Sequence, residues 1–439
     1  MRRLISLLLV GAAVAAGARR LQGQDTLRLS LNDALALAAA SHPSAVQARA
    51  EQRGREADRV GSTAAWLPQL TAEWGAVRSN DPVAVFGTRL RQGIFGQADF
   101  AVDALNFPAP ITDFSTVLTV EQPLLQPEAI YARRAAGEGA RAAALAAERV
   151  EQVVAFDAIR AYYAVRLADE RVTVLLDARE AGRQTLAQVT KLRAEGQVTV
   201  VDEQLARSRV AELDAALSSA RAGRIAAGDQ LLELLGRSPG AVVVATDTLT
   251  LPPAERPDSS ERKDLAALAA GVAAQDASVL RGKSQWVPSV GAFGNLTWHQ
   301  GDFGLAGGPR RWTAGLMVRW TPFKGLADVG QLRRAEADRE AARARLEAAD
   351  RHAQTEVHMA RAEREAALLA FAASDAALAQ AAQASRAAQS RYGEGVATIS
   401  ELLGVRSAES GQRLARLQAI YQARVADAAL VLALGGTPR

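Results

Sequence analysis

Ala194-Glu195-Gly196-Gln197-Val198-Thr199 returns as Gly393-Glu394-Gly395-Val396-Ala397-Thr398, an offset of 199 residues. Glu121-Gln122-Pro123-Leu124 returns as Trp320-Thr321-Pro322-Phe323 at that same offset of 199. Trp66-Leu67-Pro68-Gln69-Leu70 returns as Trp286-Val287-Pro288-Ser289-Val290 at an offset of 220. From Pro123 to Gly196 and from Pro322 to Gly395 the chain runs the same 73 residues. One internal duplication, with an enlarged loop in the first half, accounts for the pattern.

The duplicated stretches read as helix. Proline is absent from Glu128 to Ser238 and from Phe323 to Thr437, and both regions are rich in Ala, Arg, Glu, Leu and Gln. These residues favour helix, and proline is excluded from helix interiors. A helix of that length spans roughly 110 Å, which fits a coiled coil or extended bundle rather than one compact globule. Val154, Ala158, Ala161, Val165, Ala168, Val172 and Leu175 step by four and three, a heptad seam of small residues. Arg179 and Gly182 occupy the next seam positions and interrupt it. Gly196 and Gly395 permit the turn that ends each run. Thr199 and Thr398 can then cap returning helices that reach about Leu235 and Leu434. Each half is therefore expected to hold a helical hairpin.

Before each long helix the period changes. Helices to Ser41, from Ser44 to about Trp66, and from Asp264 to Trp286 are expected, the first capped by Ser30 or Asn32. After Pro68 and Pro288, apolar residues alternate. Leu70, Ala72, Trp74 and Ala76 form one face, and so do Thr116, Leu118 and Val120. Val290, Ala292, Gly294, Leu296 and Trp298 form a third, and Trp312, Ala314, Leu316, Val318 and Trp320 a fourth. Period-two alternation predicts strands, pairing as two hairpins, about 70–78 with 114–122 and about 290–300 with 312–320. Their length and one-sided apolarity match membrane β-barrel strands. Trp74, Trp298, Trp312 and Trp320 are the candidate aromatic anchors at the lipid interface. Ser79 to Asp113 reads as a long loop that its phenylalanines pack down, and Ser238 to Ser260 as a short strand or turn followed by an irregular connector.

Composition narrows the class. The 439 residues carry a net charge of only +4, which gives no nucleic-acid signal, and cysteine is absent, which removes disulfides and thiol metal sites. Arg2-Arg3, the apolar run Leu4 to Ala16 and Ala16-Gly17-Ala18 form an expected signal peptide cleaved after Ala18. No other apolar run is long enough to cross a membrane as a helix. No zinc-protease motif, phosphate loop, nucleophile elbow or dinucleotide fingerprint is found, so no catalytic residue, cofactor or metal site is expected.

The order and equal spacing of these motifs resemble the TolC-like outer-membrane efflux proteins over essentially the whole mature chain. The resemblance rests on the opening Leu27-to-Ala38 segment with His42-Pro43, the doubled Trp-x-Pro, the two tip motifs and the duplication. It implies a mainly α fold with a membrane β-barrel part: a homotrimer with a 12-stranded barrel in outer-membrane lipid and a long periplasmic α-helical tunnel. The segments would be a signal peptide 1–18, N-terminal helices 19–66, a first barrel hairpin with a long extracellular loop 67–123 and a first helical hairpin 124–235. An equatorial linker 236–263, a helix 264–287, a second barrel hairpin 288–322, a second helical hairpin 323–435 and a tail 436–439 would follow.

It further implies an exit duct for tripartite efflux or type I secretion, fed by an inner-membrane RND or ABC transporter through a periplasmic adaptor. Gly196, Gln197, Val198, Thr199, Gly395, Val396, Ala397 and Thr398 would contact the adaptor, and Asp202 and Glu401 would line the periplasmic aperture. The family's lock arginine matches the position of Ala397, so no arginine stands at the lock position, and Arg406 is a poor substitute. The competing reading is a pore-less periplasmic structural or adhesive coiled coil. It would keep the long helices but has no use for four alternating strands.

Overall fold

The computed structural model describes residues 26–253 and 259–438. The expected signal peptide and the last residue of the tail lie outside the described residues. The chain is built from β1 (Thr26–Leu29), α1 (Leu31–Ser41), α2 (Pro43–Gly61), β2 (Gln69–Ser79), α3 (Pro82–Gln92), α4 (Val102–Asn106), β3 (Ile111–Leu125), α5 (Pro127–Ala194) and α6 (Val200–Leu234). It continues with β4 (Val242–Ala245), α7 (Lys263–Ser284), β5 (Ser289–Gln300), β6 (Arg311–Arg319), α8 (Ala327–Gly393) and α9 (Ile399–Ala433). At 68 and 67 residues, α5 and α8 are each about 100 Å long. Two units can be distinguished.

One unit takes Met1–Ala48, Ala147–Lys263 and Arg351–Arg439, as far as these are described. Ser30, rather than Asn32, caps α1. Its hydroxyl accepts from the Asp33 backbone N–H at 3.2 Å, and Asp33 returns the bond to the Ser30 N–H at 3.2 Å. The strand β1, which lies where helices alone were expected, pairs in parallel with β4 of the connector. Four residues are too few to show an alternating pattern, and the partner strand lies about two hundred residues away. The core gathers Leu29, Ala34, Ala38, Val154, Ala158, Tyr162, Val165, Leu231 and Val243. Tyr162 is fully buried within it. Its hydroxyl donates to Asp247 Oδ2 at 2.6 Å and accepts from the Asp247 N–H at 3.0 Å. Burial, reinforced by the Asp247 carboxylate, pushes the Tyr162 phenol up to about 12.

The seam of α5 is buried where its spacing places it, at Val154, Ala158, Val165 and Leu175. Its apparent interruption has two physical uses. A Cβ on Gly182 would lie 3.2 Å from Leu213 Cδ1, so glycine lets α6 approach closely. Arg179 pairs with Asp214 of α6, beside the Leu175, Leu213 and Leu217 cluster.

The other unit takes Arg49–Ala146 and Asp264–Asp350. Its centre is one four-stranded antiparallel sheet in the order β2-β3-β5-β6. Leu70 pairs with Val120, and Leu296 with Trp312. The two hairpins are joined by pairing of β3 with β5, Leu118 opposite Leu296. Side chains alternate across a strand, so this register assembles two contrasting faces. One face carries Leu70, Trp74, Leu118, Leu296, Trp312 and Leu316; the other carries Thr71, Glu73, Thr119, Asn295, Thr313 and Arg319. The outer strands β2 and β6 have no partner on their far sides within the described chain.

The stretch between β2 and β3, read as a loop, holds two helices, α3 and α4. The signals for α3 were local: Asp81 caps Ala84 N–H at 2.8 Å, Pro82 opens the helix, and Gly93 closes it in the left-handed conformation. Phe95 packs edge-on against Phe86 and Phe100, with ring centroids 4.9 and 5.1 Å away. Trp74 donates its indole N–H to Gly304 O at 3.0 Å and packs against Phe114 and Phe303. Trp320 donates to Trp286 O at 3.1 Å.

Candidate functional site

The duplicated glycine motifs form two matched turns in the first unit. Gly196 and Gly395 adopt φ of 74° and 77°, a region in which a side chain is strained. Each turn closes with the same pair of bonds. Gly196 N–H reaches Arg193 O at 2.9 Å and Gln197 N–H reaches Leu192 O at 2.9 Å; Gly395 N–H reaches Tyr392 O at 3.1 Å and Val396 N–H reaches Arg391 O at 2.8 Å. This is a Schellman closure, which satisfies the last carbonyls of α5 and α8. Thr199 and Thr398 then cap α6 and α9, accepting from Asp202 N–H at 3.3 Å and Glu401 N–H at 3.2 Å.

The structure brings the two turns together. Val189 of α5, Ala206 of α6, Ala388 and Tyr392 of α8, and Ile399 and Leu402 of α9 share one buried cluster. Val198 and Ala397 pack against it, while Gly196, Gln197, Thr199, Gly395, Val396 and Thr398 are exposed. The turns thus present a mostly polar rim over an apolar plug.

The two acids occupy equivalent positions but are held differently. Asp202 accepts from both the backbone and the hydroxyl of Thr199, each at 2.8 Å. Glu401 instead pairs with Arg391 of the same hairpin at 2.9 Å, and both are largely exposed. A second cross-turn pair, Arg193 with Glu203, lies one residue out of step with it. Glu203 is buried and also takes Arg207 at 2.7 Å. The Arg193 hydrogen bond, with smaller help from Arg207, holds the Glu203 carboxyl below its ordinary value. In the second half the positions equivalent to Arg193 and Glu203 are Tyr392 and Leu402, both buried. The Tyr392 hydroxyl has no hydrogen-bond partner among the described residues, and burial, with the charge of Asp202, pushes its pKa up.

Sequence reading singled out Asp202 and Glu401 but passed over these arginines. The signal was available: Arg193 to Glu203 and Arg391 to Glu401 are each ten residues apart across a helical turn. It was hidden because the two pairs are offset by 198 residues, not 199. Arg406 does not replace the missing arginine. Its guanidinium donates to Ala181 O at 3.1 Å, Thr185 and Gln389, and burial lowers its pKa. It ties α9 to α5 and α8.

No helix of the described residues is long and apolar enough to cross a membrane, and among them no cluster of side chains suited to a metal ion occurs. The contrasting faces of the four-stranded sheet are a second candidate surface. On its edge strands, Leu70, Val77, Trp312, Leu316 and Val318 are more than half exposed.

Residues 34–237 and 259–436 match the sequence pattern of the family described as outer membrane efflux protein. No curated protein matches the chain in sequence. Solved outer-membrane channels and proteins are similar in fold, among them the following three. The CmeC outer membrane channel of Campylobacter jejuni gives a TM-score of 0.76 at 17% identity, over 93% of this chain and 86% of that one. The open state of the Neisseria gonorrhoeae MtrE outer membrane channel gives 0.77 at 18%, over 93% and 89%. The outer membrane protein VceC of Vibrio cholerae gives 0.74 at 20%, over 93% and 97%.

Proposed function

The chain belongs to the outer membrane efflux protein family, and from that premise we propose that three copies close one barrel and pass cargo from a periplasmic adaptor to the exterior. It is an outer-membrane exit duct for efflux, a channel rather than an enzyme, with its helical part in the periplasm. The trimer, the adaptor and the pump belong to the proposal.

One observation carries it: the sheet β2-β3-β5-β6 has an apolar face, a polar face and two open edges. In lipid every backbone N–H and C=O must be paired, so an open sheet cannot stand alone. Four strands are too few to close a barrel on themselves. Three copies supply twelve, an even number within the range of outer-membrane barrels, with apolar faces to lipid and polar faces to a lumen. The rim residues Gly196 to Thr199 and Gly395 to Thr398 are then the adaptor contacts. Asp202 and Glu401 repeat threefold as carboxylate rings around the periplasmic aperture, which favour cations. As a passive duct it would be driven by an inner-membrane RND or ABC transporter.

The test is mass measurement in detergent together with planar-bilayer recording. A trimer that conducts in discrete steps supports the duct. A protein that stays soluble without detergent and never conducts supports the pore-less coiled coil and overturns the proposal.

A further inference from the structure

The two open edges of the sheet carry opposite charge on the same face. On β2 the polar-face positions are Gln69, Thr71, Glu73, Gly75, Val77 and Ser79, with one acid and no base. On β6 they are Arg311, Thr313, Gly315, Met317 and Arg319, with two bases and no acid. Glu73 and Arg319 are both exposed in the single chain. Among the described residues the Arg319 guanidinium reaches only the Met317 sulfur, at 3.6 Å, whereas Arg311 is already occupied by the Leu90 and Arg91 carbonyls.

Closing the proposed barrel sets β6 of one copy beside β2 of the next; we infer that an ion pair between Arg319 and the next copy's Glu73, on the luminal side, favours this seam over the two-fold alternatives. The inference rests on the trimer proposed above and adds what decides its assembly. Two identical edges meeting would give a two-fold contact. Joining β6 to β6 would place four arginines along one seam, and joining β2 to β2 would set Glu73 against itself. Like charges across neighbouring strands are unfavourable and opposite charges favourable. The charge pattern therefore opposes closed two-fold dimers and favours the head-to-tail contact that generates a ring. Strand directions alternate through β2, β3, β5 and β6, so a following β2 runs antiparallel to β6, as the continued sheet requires. Long side chains interact directly opposite or one diagonal away, so a register placing Arg319 opposite Glu73 or Thr71 suffices. The contact lies on the polar face, away from lipid, where charge is tolerated.

Charge reversal tests this in the full-length protein. Glu73→Arg and Arg319→Glu should each raise the dissociated fraction of the detergent-solubilised oligomer, on the order of tenfold over three seams. The double variant, with the charges exchanged, should restore it. Independently, Glu73→Cys combined with Arg319→Cys should give disulfide-linked dimers and trimers on a denaturing gel, while Glu73→Cys or Arg319→Cys alone should not. A wild-type trimer with no rescue by the exchange and no cross-link overturns the inference and leaves the trimer standing. Cross-linking by Arg319→Cys alone also overturns it, because it shows β6 against β6. A wild-type monomer in detergent removes the trimer and the inference together.

Discussion

Asp202 and Glu401 show how two equivalent residues come to differ. Asp202 spends its carboxylate on Thr199, and Glu401 spends its own on Arg391. An exposed pair such as Arg391–Glu401 contributes about 0–1 kcal/mol, and loss of a cap costs about 1 kcal/mol. Replacing both acids with alanine therefore leaves the fold intact while removing the proposed rings. Bilayer recordings should show higher conductance and weaker cation preference, and an unchanged channel would take both residues out of the gate. Tyr162 makes a different prediction. A phenol raised from its ordinary 10 to about 12 is held neutral by the fold. Its contribution to stability is complete below pH 10 and is lost as pH climbs toward 12. Tyr162→Phe should remove that part of the alkaline loss. At neutral pH it should cost roughly 1–3 kcal/mol, because the partly buried Asp247 carboxylate loses one of its two donors and keeps only the Leu31 N–H at 2.6 Å. Thermal melts of both proteins from pH 7 to 11.5 measure the difference. Tyr162 was not legible in the sequence, because its partner lies in another element; the arginines of the turns left a signal in their ten-residue spacing to Glu203 and Glu401, but one residue out of repeat register.

Elements were more legible than residues. Long helices and alternating strands carry their period in every turn, so the proline-free runs and the tryptophan-bearing strands stand out in the sequence. β1 and α3 did not, the first because it is too short to show a pattern, the second because its start and stop signals, Asp81-Pro82 and Gly93, also read as those of a loop. The seam of α5 sits between these cases. Its regular part is visible, whereas its break at Arg179 and Gly182 reads as decay until α6 is seen against it. The break has a consequence. Gly182→Val places a branched side chain where a Cβ alone would already lie 3.2 Å from Leu213. Overpacking of this kind costs about 1–3 kcal/mol. It should appear as a lower melting temperature, and Leu213→Ala in the same chain should recover part of the loss. Additive losses would show that the two helices do not meet there.

At the scale of the whole molecule, the duct reading assigns an environment to each face of the sheet, which no single element could decide. If Leu316 faces hydrocarbon and Thr313 faces a lumen, one substitution has two outcomes three residues apart on the same strand. Leu316 is 73% exposed in the single chain, so in water Leu316→Arg would be harmless. In a bilayer an arginine near the midplane of the lipid face costs about 2–4 kcal/mol per copy, while lumen substitutions adjust selectivity. Refolding into lipid vesicles under a urea titration should therefore show Leu316→Arg strongly impaired and Thr313→Arg close to wild type. In bilayers, Thr313→Arg should shift ion preference toward anions. Equal tolerance of both would mean that both faces are wet, which is what a pore-less coiled coil with a soluble sheet requires. A reversed result, with Thr313→Arg alone impaired, would place lipid on the polar face and overturn the assignment of that face to a lumen. The comparison separates these outcomes because the two positions lie on one strand, about 10 Å apart along it, receive the same arginine, and occupy opposite faces.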